Sequence, residues 1–389
     1  MDKAAIGKLI GAFRTGPSGP EGTRLLASAP SGGRVAWRVS GADGGSWVVR
    51  IVRADQPPHA SFAGSGASTL RELAVSHIAT LDELDAHGYP APRVVPTADG
   101  RKFAEEDGLL AYAMTYLPGR PITPTLAQLR ELGAALARLH SLPSGAAGRS
   151  SWNIEQAAVS TRSLLGRLGP AAADGYGSVI GQLSGAVRGA DHLAALGDTL
   201  IHGDAWSANC IADGERGLAL IDWDTGGRGT AMVDLGRSLL ECHLDSATAP
   251  GNLEAWLISP SQERISALVA GYRSHRTPAP AEVEALPAAM MFPIAVIGAI
   301  HLTSVLGEAQ RGGPGYDPLA RLRNRLQVAG AVAAAAQHEL RRAAQLPVAP
   351  PPAAAMPRHT RGRRRPGGRR SRRPAGAGRS AHGREAPSP

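Results

Sequence analysis

The sequence predicts an α+β protein of two lobes, a small N-terminal β-sheet lobe followed by a larger, mainly helical C-terminal lobe. Three observations carry that expectation. β-rich segments separated by glycine and proline turns occupy residues 24 to 53. Beyond a Pro118-Gly119 break, apolar residues recur mainly at helical spacing. Within the helical part lies one stretch, 200 to 222, in which short apolar strands carry His202, Asp204, Asn209 and Asp222.

Strands are expected at Arg24 to Ala29, Arg34 to Ser40 and Ser46 to Arg53, with turns at Pro30-Ser31-Gly32-Gly33 and Ala42-Asp43-Gly44-Gly45. Gly32 and Gly33 suit either an ordinary hairpin loop or a loop whose backbone N–H groups approach a phosphate. Alternation along the third strand puts Val48, Arg50 and Val52 on one face and Trp47, Val49, Ile51 and Arg53 on the other. Only one of the two arginines can then face a cleft, and Arg50, deeper in the strand, is the candidate phosphate-binding cation. A helix follows over Leu70 to His87. Its Glu72 has two open roles: a counter-ion for Arg50, or the closing residue of the capping box Thr69-Leu70-Arg71-Glu72. Strands at Arg93–Val95 and Leu109–Leu117 lead to the Pro118-Gly119 hinge.

Further helices are expected at Leu126 to Leu139, twice between Ile154 and Leu196, and at 231–244, 262–273, 283–308 and 317–344. Ala285 to Gly307 has no Asp, Glu, Lys or Arg and is long enough to cross a membrane. Pro287, Pro293, His301, Thr303 and Ser304 make it a buried core helix instead, and no membrane partner is expected. The domain division is 1–118, 119–345 and a Pro/Ala/Gly/Arg tail at 346–389 that cannot bury enough apolar surface to order itself.

That tail carries eleven Arg and a single Glu, which exceeds the net charge of +9 and leaves the rest near neutrality. The basic balance therefore does not describe the lobes. Contact with nucleic acid or an acidic surface is expected only through the tail, and no obligate protein partner is called for. Cys210 and Cys242, both in apolar surroundings, read as reduced buried thiols of a cytoplasmic protein. Met1 to Phe13 lacks the apolar run of a secretory signal.

The chemistry concentrates at 200 to 222. Asp204 follows a short apolar strand and so emerges where a carboxylate can face a cleft. Folding Cys210–Ala212 against Leu218–Ile221 as a hairpin pairs Ala212 with Leu218, Cys210 with Leu220 and Asn209 with Ile221. That register sets Asn209 beside Asp222. An amide oxygen and a carboxylate are hard ligands suited to Mg²⁺, with phosphate oxygens and water completing the shell. Asp204 can orient a hydroxyl and accept its proton. The layout predicts transfer of the γ-phosphoryl group of ATP or GTP to a hydroxyl of a small polar molecule, an aminoglycoside-like antibiotic or a polar metabolite. In the lobe arrangement that such enzymes share, the backbone near Thr115 and Leu117 meets the purine. A cationic acceptor would need carboxylates, for which Glu241, Asp245 and Glu308 are candidates. The rival readings are a catalytically silent nucleotide-binding scaffold and a tether acting through the tail.

His202-Gly203-Asp204 with Asn209, Leu220-Ile221-Asp222-Trp223-Asp224 and Asp234-Leu235-Gly236 resemble the aminoglycoside phosphotransferase family over roughly residues 24 to 340. The resemblance implies a protein-kinase-like fold and a catalytic pair in which Asp204 is the base and His202 buttresses its loop. It also implies Asn209 and Asp222 as magnesium ligands and a structural Asp234. Arg50 stands where the family has Lys or Arg. The sequence departs from the family at Ala205-Trp206-Ser207-Ala208, where a leucine and a proline are common.

Overall fold

The computed structural model describes residues 2–13, 23–28, 33–40, 45–168, 176–213, 217–244, 259–307 and 318–344. Gly32, Asp245, Glu308 and the arginine-rich tail lie outside these residues. The N-terminal lobe is an antiparallel sheet of β1 (Thr23–Ser28), β2 (Arg34–Ser40), β3 (Ser46–Arg53), β4 (Val94–Val95), β5 (Ala104–Glu106) and β6 (Leu109–Thr115). The order is β1-β2-β3-β6-β4, with β5 also paired to β6.

The alternation along β3 decides what each face of the sheet does. Val49 and Ile51 are fully buried on the outer face, beneath α1 (Lys3–Gly11). Arg50 and Val52 face the other way, into a cleft. The sequence reading did not anticipate α1. Asp2 caps it by accepting from the Ala5 N–H (3.3 Å), Leu9 is its buried anchor, and Phe13 just beyond its end is buried with it. So short a helix gains its stability from packing on the sheet, which no local pattern displays. On the cleft side lies α2 (Leu70–Ala86), which buries Leu73, Ile78, Leu81 and Leu84.

Beyond Pro118-Gly119 come α3 (Leu126–Leu139), α4 (Ile154–Arg167), α5 (Gly177–Gly189), β7 (Thr199–Ile201), β8 (Cys210–Asp213), β9 (Gly217–Leu220), β10 (Gly227–Gly229), α6 (Ala231–Glu241), α7 (Gln262–Arg273), α8 (Pro280–Gly307) and α9 (Pro318–Ala344). The two-lobed α+β arrangement expected from the sequence is the one observed. Gly119 permits the hinge: its φ is 141°, and a Cβ there would sit 2.5 Å from Ile211 Cγ2. One large hydrophobic core runs from Val52, Leu110 and Tyr112 of the sheet through α2 into the helices, while the residues under α1 form a smaller second core.

The apolar helix α8 is long enough, by length and composition, to cross a membrane, with a mean hydropathy of 1.9. In this structure it packs among α4, α5, α6 and α9, and Leu286, Ala289, Phe292, Ala295, Ala299 and Leu302 are fully buried. Its two internal prolines do not end it. Pro287 has no N–H to offer the Val283 carbonyl one turn back. Gln337 of α9 takes that place, donating from Nε2 to Val283 O (2.9 Å) and to Glu284 O (3.2 Å). Replacing Gln337 with Leu strands that carbonyl, so urea denaturation should show a loss of about 1–3 kcal/mol. A variant as stable as the wild type would refute this account of the proline.

Candidate active site

The loop after β7 is shaped by what surrounds it. Gly203 has φ 78°, and a Cβ there would lie 2.6 Å from Trp152 Cδ1 and 2.8 Å from Thr225 O, so only glycine fits between His202 and Asp204. Asp234, in the first turn of α6 and fully buried, holds the loop from below. Its Oδ2 accepts from the His202 N–H (2.8 Å) and from His140 Nε2 (3.1 Å), and its Oδ1 accepts from the Gly203 N–H (2.8 Å). Burial pushes this carboxyl upward, but the His140 hydrogen bond and charge, with His202, hold it below the ordinary carboxylate range.

His202 has no exposed surface and does not reach the cleft. Its Nδ1 accepts from the Asp204 N–H (3.2 Å), so Nε2 carries the proton and donates to Ile221 O (2.8 Å). The ring also lies edge-on to Trp223 at 4.5 Å. Of the two members of the expected catalytic pair, His202 is therefore a support and Asp204 alone presents an open carboxylate, with about a quarter of its side chain exposed (26%).

Asp204 is gripped from two sides. Oδ2 accepts from Asn209 Nδ2 (2.9 Å), and Oδ1 accepts from Arg237 Nη2 (2.5 Å). Burial raises its pKa above the usual carboxylate value, against the lowering pull of Arg237 and then His202. Sequence reasoning missed Arg237. Its one signal is a place three residues after Asp234, one helical turn along α6, with its guanidinium 5.1 Å from the Trp152 ring.

The β8–β9 hairpin has the expected register, Cys210 opposite Leu220 and Ala212 opposite Leu218, extended by Ile221 N–H to Asn209 O (2.9 Å). Asn209 and Asp222 consequently line one cleft of about 450 Å³. Asp222 has a left-handed backbone, φ 63°, a conformation uncommon outside glycine and tolerated best by Asn and Asp. The Asn209 amide nitrogen is spent on Asp204, on its backbone O (2.9 Å) and on Oδ2, which leaves Oδ1 for another partner. That oxygen and the half-exposed Asp222 carboxylate form a hard-donor pair that fits a divalent cation. Among the described residues no three His, Cys, Asp or Glu side chains are grouped to hold a metal by themselves. A cation here would need further oxygens, from a bound phosphate and from water.

Opposite these residues the sheet supplies Arg50, which pairs with Asp222 (2.7 Å) and with Asp224. Arg50 thus meets one of the two cation-ligand candidates, Asp222, directly. Glu72 does not join them. Its Oε2 accepts from Ser68 N–H (2.7 Å) and Ser68 Oγ (2.9 Å), while Thr69 Oγ1 receives the Glu72 N–H (3.2 Å), so the capping role is the one observed. The residue that α2 turns toward Arg50 is His77, bonded to the Tyr112 hydroxyl (2.8 Å) and pushed down to about 3 by burial, then by Arg50. It is neutral and offers no counter-charge.

Thr115 and Leu117 line the same cleft at the hinge. The Thr115 N–H goes to Arg93 O (2.9 Å) and the Tyr116 N–H to Ser46 O (3.0 Å). Gly33 is buried, and its carbonyl accepts from Arg53 N–H (3.0 Å), so it extends the β2–β3 ladder at the end away from their turn and is not among the cleft-lining residues. Glu241 is committed to Arg325 (2.9 Å). Asp234 generates a prediction of its own. Asp234→Asn sets an amide N–H against one of three donors, and should lower unfolding free energy by about 3 kcal/mol in urea titrations. The stability that wild-type Asp234 contributes should be complete above the ordinary carboxylate pKa of 3.8 and fall away as pH drops below it.

The family model of the APH phosphotransferase enzyme family matches residues 27–268. A homoserine kinase of Hyphomonas neptunium is 30% identical over 216 residues, covering 53% of this chain and 62% of that protein. One from Caulobacter vibrioides is 39% identical over 72 residues, 18% of this chain and 23% of that one. The chain thus spans less than two thirds of the length of the curated relatives it matches. Among solved structures, an amicoumacin kinase in complex with AMP-PNP, Ca²⁺ and amicoumacin superposes with a TM-score of 0.59 at 16% identity, covering 85% of this chain and 93% of the other. A spectinomycin phosphotransferase gives 0.51 at 12% identity, covering 82% and 93%. At such identities the likeness is one of fold. The family model, matched over more than half the chain and across every cleft residue of the C-terminal lobe described above, settles membership: the chain belongs to the APH phosphotransferase enzyme family.

Proposed function

We propose that this protein is a small-molecule kinase that transfers the γ-phosphoryl group of ATP or GTP to a hydroxyl of a small polar acceptor. The observation that carries this reading is the convergence of Asn209, bonded to Asp204, with Asp222 in one cleft, below a sheet whose Arg50 pairs with Asp222. Asp204 orients the acceptor hydroxyl and receives its proton. Asn209 Oδ1 and Asp222 would hold a divalent cation, Mg²⁺ by the hardness of the donors, and Arg50 grips the α- and β-phosphates. The cation, when bound, neutralises charge on the phosphate oxygens. The backbone at Thr115 and Leu117 receives the purine. Homoserine kinases among the relatives and nucleotide complexes among the fold neighbours support the same reading.

The charges around Asp204 favour an acceptor bearing a carboxylate over a polycation. Arg237 Nε and Nη1 are buried and have no hydrogen-bond partner among the described residues. Glu241, expected to receive a cationic acceptor, is neutralised by Arg325. A small hydroxy amino acid, of the kind named in the homoserine kinases, fits that pattern better than an aminoglycoside.

Coupled ADP- and GDP-release assays over hydroxy amino acids, other hydroxy metabolites and antibiotics test the proposal. Asp204→Asn should lower kcat about 10²–10⁴-fold on the active acceptor while nucleotide affinity is kept. Absence of turnover with both nucleotides, or an Asp204→Asn enzyme as fast as the wild type, would sink it. The pH profile supplies a second check. Since the Asp204 pKa is raised, kcat/KM should decline on the acid side at a pH above the ordinary carboxylate value of 3.8. Arg237→Met removes a cation that lowers that pKa, and should move the decline to higher pH.

A further inference from the structure

Arg34 takes no part in the scheme above, yet the sheet aims it at the same place as Arg50. In the β2–β3 register Ala36 lies opposite Arg50 and Arg34 opposite Val52. Arg34 and Arg50 therefore share the cleft face as diagonal neighbours, about 7–8 Å apart at the backbone and within reach of long side chains. Both line the cleft. Arg34 Nη1 lies 3.3 Å from Asp224 Oδ2, and its guanidinium stacks 4.6 Å from the buried Phe62 ring. The stacking fixes the plane of the fork.

The charge balance around this pair is unusual. From α2 comes only neutral His77, and Glu72 is tied to its cap. Asp224 therefore serves as counter-ion to both arginines. Once Asp222 is given to a divalent cation, two guanidiniums face one remaining carboxylate among the described residues. The cleft then holds a surplus of fixed, preoriented positive charge, which a single phosphate-binding cation would not leave. Planar guanidiniums match phosphate oxygens bidentately.

We propose that Arg34 is a second phosphate-binding residue, which with Arg50 forms a two-arginine clamp on the nucleoside polyphosphate, both forks being held in register by Asp224. The clamp rests on the kinase reading and deepens it. Arg34 makes affinity depend on the number of phosphates, and it does not touch the acceptor or the transferred proton.

The test is calorimetric titration of the full chain, with Mg²⁺, against AMP-PNP and AMP. Wild type should prefer AMP-PNP, and Arg34→Met should weaken AMP-PNP about ten- to hundredfold, the range for losing a hydrogen bond to a charged group, with AMP affinity unchanged. Arg34→Lys should recover part of the loss. A merely structural arginine would lower both affinities together. If Arg34→Met loses AMP as well, Arg34→Gln decides, and an AMP-PNP-to-AMP ratio equal to wild type in that variant overturns the clamp. Failure of the wild type to bind either nucleotide would instead overturn the kinase reading, and the clamp with it.

Discussion

Asp234 accepts three hydrogen bonds from two separate parts of the chain, the His202 and Gly203 amides after β7 and the His140 ring at the end of α3, and it does so without any contact with solvent. A carboxylate so placed is costly to bury and affordable only because each donor is there. Its hydrogen bonds fix where Gly203 turns, and Gly203 in turn fixes the direction in which Asp204 leaves the strand. His202 repeats the device one step further out. Its two nitrogens tie the Asp204 amide to Ile221 O, next to Asp222. A chain of buried polar contacts thus runs from α6 to the base and on to the hairpin that carries Asn209.

The cleft is organised by opposite charges drawn from opposite sides. The sheet brings Arg34 and Arg50, and the segment after β9 brings Asp222 and Asp224. Helix α2, which lies between them, contributes only a neutral imidazole. The counter-charge for the strand arginine therefore comes from the residues beyond the hinge, and its ion pairs span the cleft.

Much of this was legible in the sequence because it is local. The hairpin register followed from the pattern of apolar residues around a turn, and the facing of Arg50 followed from the two-residue period of a strand. The capping box could be read at Thr69–Glu72, although only the structure showed that Ser68 claims the Glu72 carboxylate. What stayed hidden depends on contacts between distant segments. Helix α1 needs the back of the sheet, Arg237 needs the base it grips, and Arg34 becomes visible only when β2 is laid beside β3. The ion pair that occupies Glu241, a candidate carboxylate for a cationic acceptor, was hidden for the same reason, since Arg325 lies more than eighty positions away.

The continuity of the larger core has a consequence for how the molecule comes apart. Val52, Leu110 and Tyr112 of the sheet belong to the same buried cluster as Leu129, Leu200 and Met290. The hinge divides the backbone but not this apolar interior, and only the small cluster under α1 is private to the sheet. Loss of the helical lobe would strip the sheet's inner face of its neighbours. A shared interior of this kind couples the two lobes in unfolding, so they should melt as one cooperative unit, with α1, packed on the smaller cluster, opening before them.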